Sequence, residues 1–239
     1  IGISSGASNQ GSDAVAIGPN SGQTNQGTNA VAIGSAAGAF NQNGNSIAIG
    51  ISSGETNQGI NAIAIGNSAA SLSQATGSIA IGNLAGQFTQ GISAVAIGTN
   101  SGQNNQGLNA VSIGNLAGRS SQGISAVAVG SQAGQSNQAV DAVALGNLAG
   151  TNTQGTSAVA VGAQAGRTNQ GNQAVAIGSY AGQSGQGASS IAIGYLSGSN
   201  GLPANTICIS ASGSTFSPSG AGSACFVNQV GLASASMQT

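Results

Sequence analysis

The chain has 239 residues and only five charged side chains, Arg119 and Arg167 against Asp13, Glu55 and Asp141, for a net charge of -1. With no His, Lys or Trp, it lacks the usual general bases, Schiff-base amines and imidazole metal ligands. Two guanidinium groups cannot neutralise a phosphate backbone, so nucleic acid is excluded as a partner. Asn, Gln and Gly interrupt every apolar run, so no segment approaches the ~20 residues of a membrane span.

The chain opens at Ile1-Gly2, in the middle of a repeat, and reads as a piece of a longer protein. An Ile-Gly, Val-Gly or Leu-Gly pair recurs at Gly2, Gly18 and Gly34 and onward to Gly194, every 16 residues without insertion or deletion. Taking that glycine as position 0, position +4 is Gly except for Ala70, and position +9 is Gly except for Asn43, Ala75 and Ala139. Position +8 is always Gln: Gln10, Gln26, Gln42, Gln58, Gln74, Gln90, Gln106, Gln122, Gln138, Gln154, Gln170 and Gln186. Positions +13 and +15 are always Val, Ile or Leu, and +14 between them is Ala except for Ser112.

The Ala-Val-Ala-Ile segment at +12 to +15 predicts a short strand, since it alternates, is β-branched and is too short for a helix. Glycines at 0, +4 and +9 suit sharp corners. One strand per fixed period with glycine corners describes an all-β, parallel β-solenoid of 16 residues per coil. Coils would stack at about 4.8 Å, giving a rod of roughly 60 Å.

The expected division of faces follows from the columns. Val/Ile at +13 and +15 are expected to stack inside, and Gln at +8 and Asn at +7 to form structural amide ladders. The charges fall only at +5 (Glu55, Arg119, Arg167) and +11 (Asp13, Asp141), which marks those columns as solvent-facing. Position +14 is expected to point outward. Its uniform Ala, with apolar residues at +2 (Leu84, Leu116, Leu148, Leu196) and +10 (Ile60, Ile92, Leu108, Ile124), predicts close packing of subunits, most simply as a parallel homotrimer.

The motif Ala-Val-Ala-Ile-Gly-x-x-(Ala/Ser)-Gly, seen at Ala14–Gly22, Ala94–Gly102 and Ala174–Gly182, resembles the head repeat of YadA-like trimeric autotransporter adhesins. The resemblance covers Ile1 to about Gly198. It implies a left-handed parallel β-roll and a homotrimeric extracellular fibre. The adhesin repeat is usually shorter and more charged. The 16-residue form with Gln-Gly at +8/+9 looks more like repeats in long fibre proteins of large DNA viruses, phages and some predatory or environmental bacteria.

After the repeat domain, 1–198, a non-repeat β-rich connector is expected over 199–239. Pro203 and Pro218 break the pattern there, while 205–210 and 224–228 still read as strands. This stretch is similar to the connector before a self-cleaving chaperone in viral fibre proteins. Cys208 and Cys225, the only cysteines, are either a disulfide or two buried thiols.

No enzyme is expected. Gly-x-Ser-x-Gly occurs at Gly2–Gly6 and Gly50–Gly54, but a triad needs a histidine and both matches fall on the repeat's own glycines. Two Asp in the whole chain exclude a repetitive calcium site, two Cys alone make a poor metal site, and no cofactor is expected. The leading expectation is an extracellular attachment or display segment that partners itself, with an unidentified receptor or glycan. The alternatives are a self-assembling matrix filament and, less well matched because Thr is scattered, an ice-binding solenoid.

Overall fold

The computed structural model describes residues 1–210, 215, 217 and 224–228; Pro218 and most of the connector lie outside them. Among the described residues there is no helix, and the strands stack in parallel, one coil above the next. The Val-Ala-Ile segments form one 14-stranded sheet, from Val15–Ile17 through Ile191–Ile193 to Thr206–Ser210 and Ala224–Asn228. Register is fixed by the period: Val31 pairs with Ile47, Ala32 with Ala48 and Ile33 with Ile49. The sheet therefore runs past the point where the 16-residue period fails, with Ile207 and Ile209 paired to Ile191 and Ile193.

A second strand in most coils ends on the +8 glutamine, as in Thr24–Gln26. These strands form two five-stranded sheets, Ser8–Gln10 to Leu72–Gln74 and Asn104–Gln106 to Thr168–Gln170. Between them only the isolated bridges Gln74–Gln90 and Gln90–Gln106 survive. The break follows the one coil that carries Ala at both glycine positions, Ala70 and Ala75. At +9, a Cβ on Gly59 would lie 2.6 Å from the backbone of the next coil. Where a Cβ is present the coil spacing gives. Asn43, Ala75 and Ala139 donate to the next coil at 3.0, 3.1 and 3.0 Å, slightly longer than the 2.7 Å of Gly27 and the 2.9 Å of Gly91 and Gly107.

The interior corrects the expected division of faces. Ala at +14 points inward and is fully buried in nearly every coil, as in Ala32, Ala96 and Ala160. Joining it are Ala or Ser at +3 and +12 and the glutamine at +8. The Val and Ile of +13 and +15 point outward instead. The reason is cross-section. One 16-residue coil encloses room for a methyl from each wall and one flat carboxamide, and two β-branched chains per strand do not fit a close-packed space that small. Strand alternation then turns +13 and +15 to the outside.

Outside the glycine columns, three positions take left-handed backbone in nearly every coil: +2, +7 and +11, as at Asn20, Asn25 and Asn29 with φ of 57°, 58° and 57°. Asparagine recurs there because it tolerates that conformation best among side-chain-bearing residues. Glycine is required at position 0, where φ at Gly34 is 130° and a Cβ would meet the Gly50 carbonyl oxygen at 2.5 Å.

Candidate functional site: a glutamine spine and an outward aliphatic face

The twelve glutamines lie along the axis of the solenoid, and all from Gln26 to Gln186 are buried. Each Nε2 reaches across its coil. Gln138 donates to the carbonyls of Val127 at 2.8 Å and Ala142 at 3.1 Å, and to Oε1 of Gln154 at 3.1 Å. Gln–Gln contacts form runs, Gln10–Gln26–Gln42, Gln74–Gln90, Gln122–Gln138–Gln154 and Gln170–Gln186, rather than one ladder. The contacts made in every coil are those to backbone carbonyls. The spine therefore staples the long sheet to the opposite wall as well as linking coil to coil. Glycine at +4 makes room for it: a Cβ on Gly22 would sit 2.5 Å from Gln26 Oε1. An exposed ladder does exist at +7, where Asn9, Asn25, Asn41 and Asn57 bond in series at 2.9–3.0 Å.

Among the described residues no group of three His, Cys, Asp or Glu could hold a metal ion, and no helix is long and apolar enough to cross a membrane. Cys208 is buried, with its sulfur accepting a hydrogen bond from Ser197 Oγ at 3.1 Å, whereas Cys225 is exposed. Both are thiols. The strand register explains why: Cys225 pairs with Ile207, and Phe226 with Cys208, so the two sulfurs fall on opposite faces.

What the fold leaves uncovered is the outer face of the long sheet. Its two aliphatic columns, +13 and +15, run from Val15 and Ile17 to Ile207 and Ile209, and then to Cys225 and Val227. Most of their side chains are half-buried, as at Val31, Ile33, Val95 and Ile97, and a minority are more than one-third exposed, among them Ile17 at 40%, Ile113 at 38%, Leu145 at 45% and Val227 at 48%. Together they make a contiguous apolar stripe along the outer face of the sheet.

The corner beside the +15 column adds to it. From residue 84 to residue 180, position +2 alternates apolar and amide residues: Leu84, Asn100, Leu116, Gln132, Leu148, Gln164 and Tyr180. The leucines hold left-handed backbone, with φ of 57° at Leu84 and 59° at Leu116 and Leu148. That conformation costs a non-glycine residue about 1–2 kcal/mol, so propensity did not place leucine there. Tyr180 packs edge-on against Tyr195, ring centroids 6.2 Å apart. The +10 column presents Ile60, Ile92, Leu108, Ile124 and Val140, all exposed.

No family model matches the chain, and a search of curated proteins finds no match either.

Sequence reasoning found the columns but assigned three of them, +13, +14 and +15, to the wrong side. The signal that distinguishes them is size. Eleven Ala and one Ser at +14 track a space that admits nothing larger, whereas +13 and +15 accept Val, Ile and Leu interchangeably, as an uncrowded surface does.

Proposed function

We propose that the chain is a non-enzymatic, stiff segment of an extracellular trimeric fibre or adhesin, a shaft or head used for attachment or display. The observation that carries this reading is the uncovered pair of aliphatic columns along the whole long sheet. A second copy of the chain is the partner that fits it, because a partner with the same coil rise matches the stripe coil for coil. Three copies facing one axis bury all six columns at once. The packing face is then +13/+15 and not the buried +14 alanines. The resemblance to YadA-like head repeats supports the same assembly, and further implies a left-handed coil and a cell- or virion-surface location. The near absence of Lys and Arg, two in all, leaves few trypsin sites, which suits an exposed protein.

The native mass of the purified chain tests this. Three chains are expected. Cys225 gives a geometric check, since it lies in the outward column opposite Ile207. A bis-maleimide of short span should join copies through Cys225. A stable monomer would overturn the trimer and leave a single-chain solenoid, for which thermal hysteresis becomes the next measurement.

A further inference from the structure

Two Asn-Gly pairs occur in the chain, Asn43-Gly44 and Asn200-Gly201. The peptide nitrogen that follows an asparagine can attack the side-chain carboxamide carbon. Glycine leaves the approach open because it carries no Cβ. The two pairs differ in how that nitrogen is held. The Gly201 N–H donates to the Gly198 carbonyl at 3.2 Å, whereas the Gly44 N–H has no hydrogen-bond partner among the described residues. Asn43 is exposed. It is also the only residue in the +9 column that is neither Gly nor Ala. Its main-chain N–H and its Nδ2 both donate to the carbonyl of Gln58 in the next coil, at 3.0 and 2.8 Å.

We propose that Asn43 is a self-modification site, at which Gly44 drives deamidation. The Gly44 nitrogen, giving its proton to water, bonds to Cγ of Asn43. The Cγ–Nδ2 bond breaks and ammonia leaves, closing a five-membered succinimide. Water then opens the ring at either carbonyl, leaving aspartate or isoaspartate. The sum is one water consumed and one ammonia released, with no oxidant, reductant or cofactor.

The consequence for the stack follows from the same contacts. The Nδ2 donor against the Gln58 carbonyl becomes a carboxylate oxygen, so an attraction at 2.8 Å becomes a repulsion. Isoaspartate also adds an atom to the main chain where adjacent coils are closest, since a Cβ on Gly27 would already lie 2.5 Å from Gly44 N. The chain thus gains a negative charge and loosens between the coils of Gly27, Asn43 and Gly59. The site records the age of the fibre, and it acts whether or not the chain is a trimer.

The test is incubation of the purified full chain in heavy-oxygen water at neutral to mildly basic pH, followed by non-specific proteolysis and peptide mass spectrometry. The Asn43 peptide is expected to take up label with loss of ammonia while the Asn200 peptide stays unchanged. Gly44→Ile, which places at +10 the residue found there at Ile60, should abolish conversion. Asn43→Gly, which restores the usual +9 residue, should remove the labelled product altogether. Conversion of Asn200 at the rate of Asn43 or faster would overturn the proposal, as would conversion undiminished in Gly44→Ile. Where Gly44→Ile does not fold, the wild-type comparison of the two asparagines decides alone.

Discussion

The hydroxyl of Ser112 donates to Oε1 of Gln122 at 2.6 Å inside the core. Ser112 is the one +14 residue that is not Ala, and its side chain occupies the position where a +14 methyl otherwise sits. Its bond takes up the glutamine oxygen that the preceding glutamine could otherwise reach. Ser112→Ala is expected to be nearly neutral, within about 1 kcal/mol, because Gln106 Nε2 can then close the spine. Ser112→Val should cost about 1–3 kcal/mol by overfilling the coil. Urea unfolding of both variants checks this, and a valine tolerated without loss would mean that +14 does not face inward.

The period, the strand at +12 to +15 and the glycine corners were legible because each leaves a chemical mark in every coil. The sidedness of Val31-Ala32-Ile33 was not, since alternation predicts two faces without saying which is inside. The usual rule that the larger aliphatic goes inward assumes a core wide enough to hold it. Here the coil is too narrow, and the burial of Gln26 as an internal crosspiece supplies both bulk and hydrogen bonds. The outward stripe was invisible for the same reason. Asn at +7 was legible as a column, but its main cause, the left-handed backbone at Asn25 and Asn57, leaves no mark beyond the residue type itself.

Replacing Gln138 by Glu tests the spine. Gln138 Nε2 is surrounded by three acceptors, so an ionised carboxylate there sets one oxygen against three others, while its second oxygen keeps the one donor, Gln122 Nε2. Burial and those oxygens raise the folded pKa of the introduced acid above its unfolded value of about 4.3. The folded state then holds the proton more tightly than the unfolded chain, so Gln138→Glu is most stable below about pH 4 and loses stability as pH rises above it. Unfolding midpoints at acid and neutral pH, each compared with wild type, should show the deficit widening upward. A deficit equal at both would place the side chain in solvent.

Charging the aliphatic face tests assembly without touching the core. Val95 and Ile97 lie outward on the strand Val95–Ile97, with buried Ala96 between them. Val95→Lys with Ile97→Lys should leave the parallel β signature in circular dichroism intact, while native mass falls from three chains to one. Retention of the assembled mass would assign the contact to another face. Loss of the fold along with the mass would show that the coils need the contact to stand.

Leu116 separates the needs of the lone chain from those of the assembly. It sits at φ 59° on the corner beside the outward stripe, where the neighbouring coils carry Asn100 and Gln132. Leu116→Asn substitutes the residue that best accepts this backbone, and its side chain is only half-buried, so little apolar burial is lost within one chain. The isolated solenoid is therefore expected to gain up to about 1 kcal/mol from relief of the left-handed strain. If leucine is kept there to pack against a partner copy, the same change should weaken assembly. Melting should then rise at concentrations where the chain is monomeric, and the assembled fraction should fall in native mass measurements. A rise in both would show that Leu116 has no part in the contact, and the alternation along +2 would need another partner to explain it.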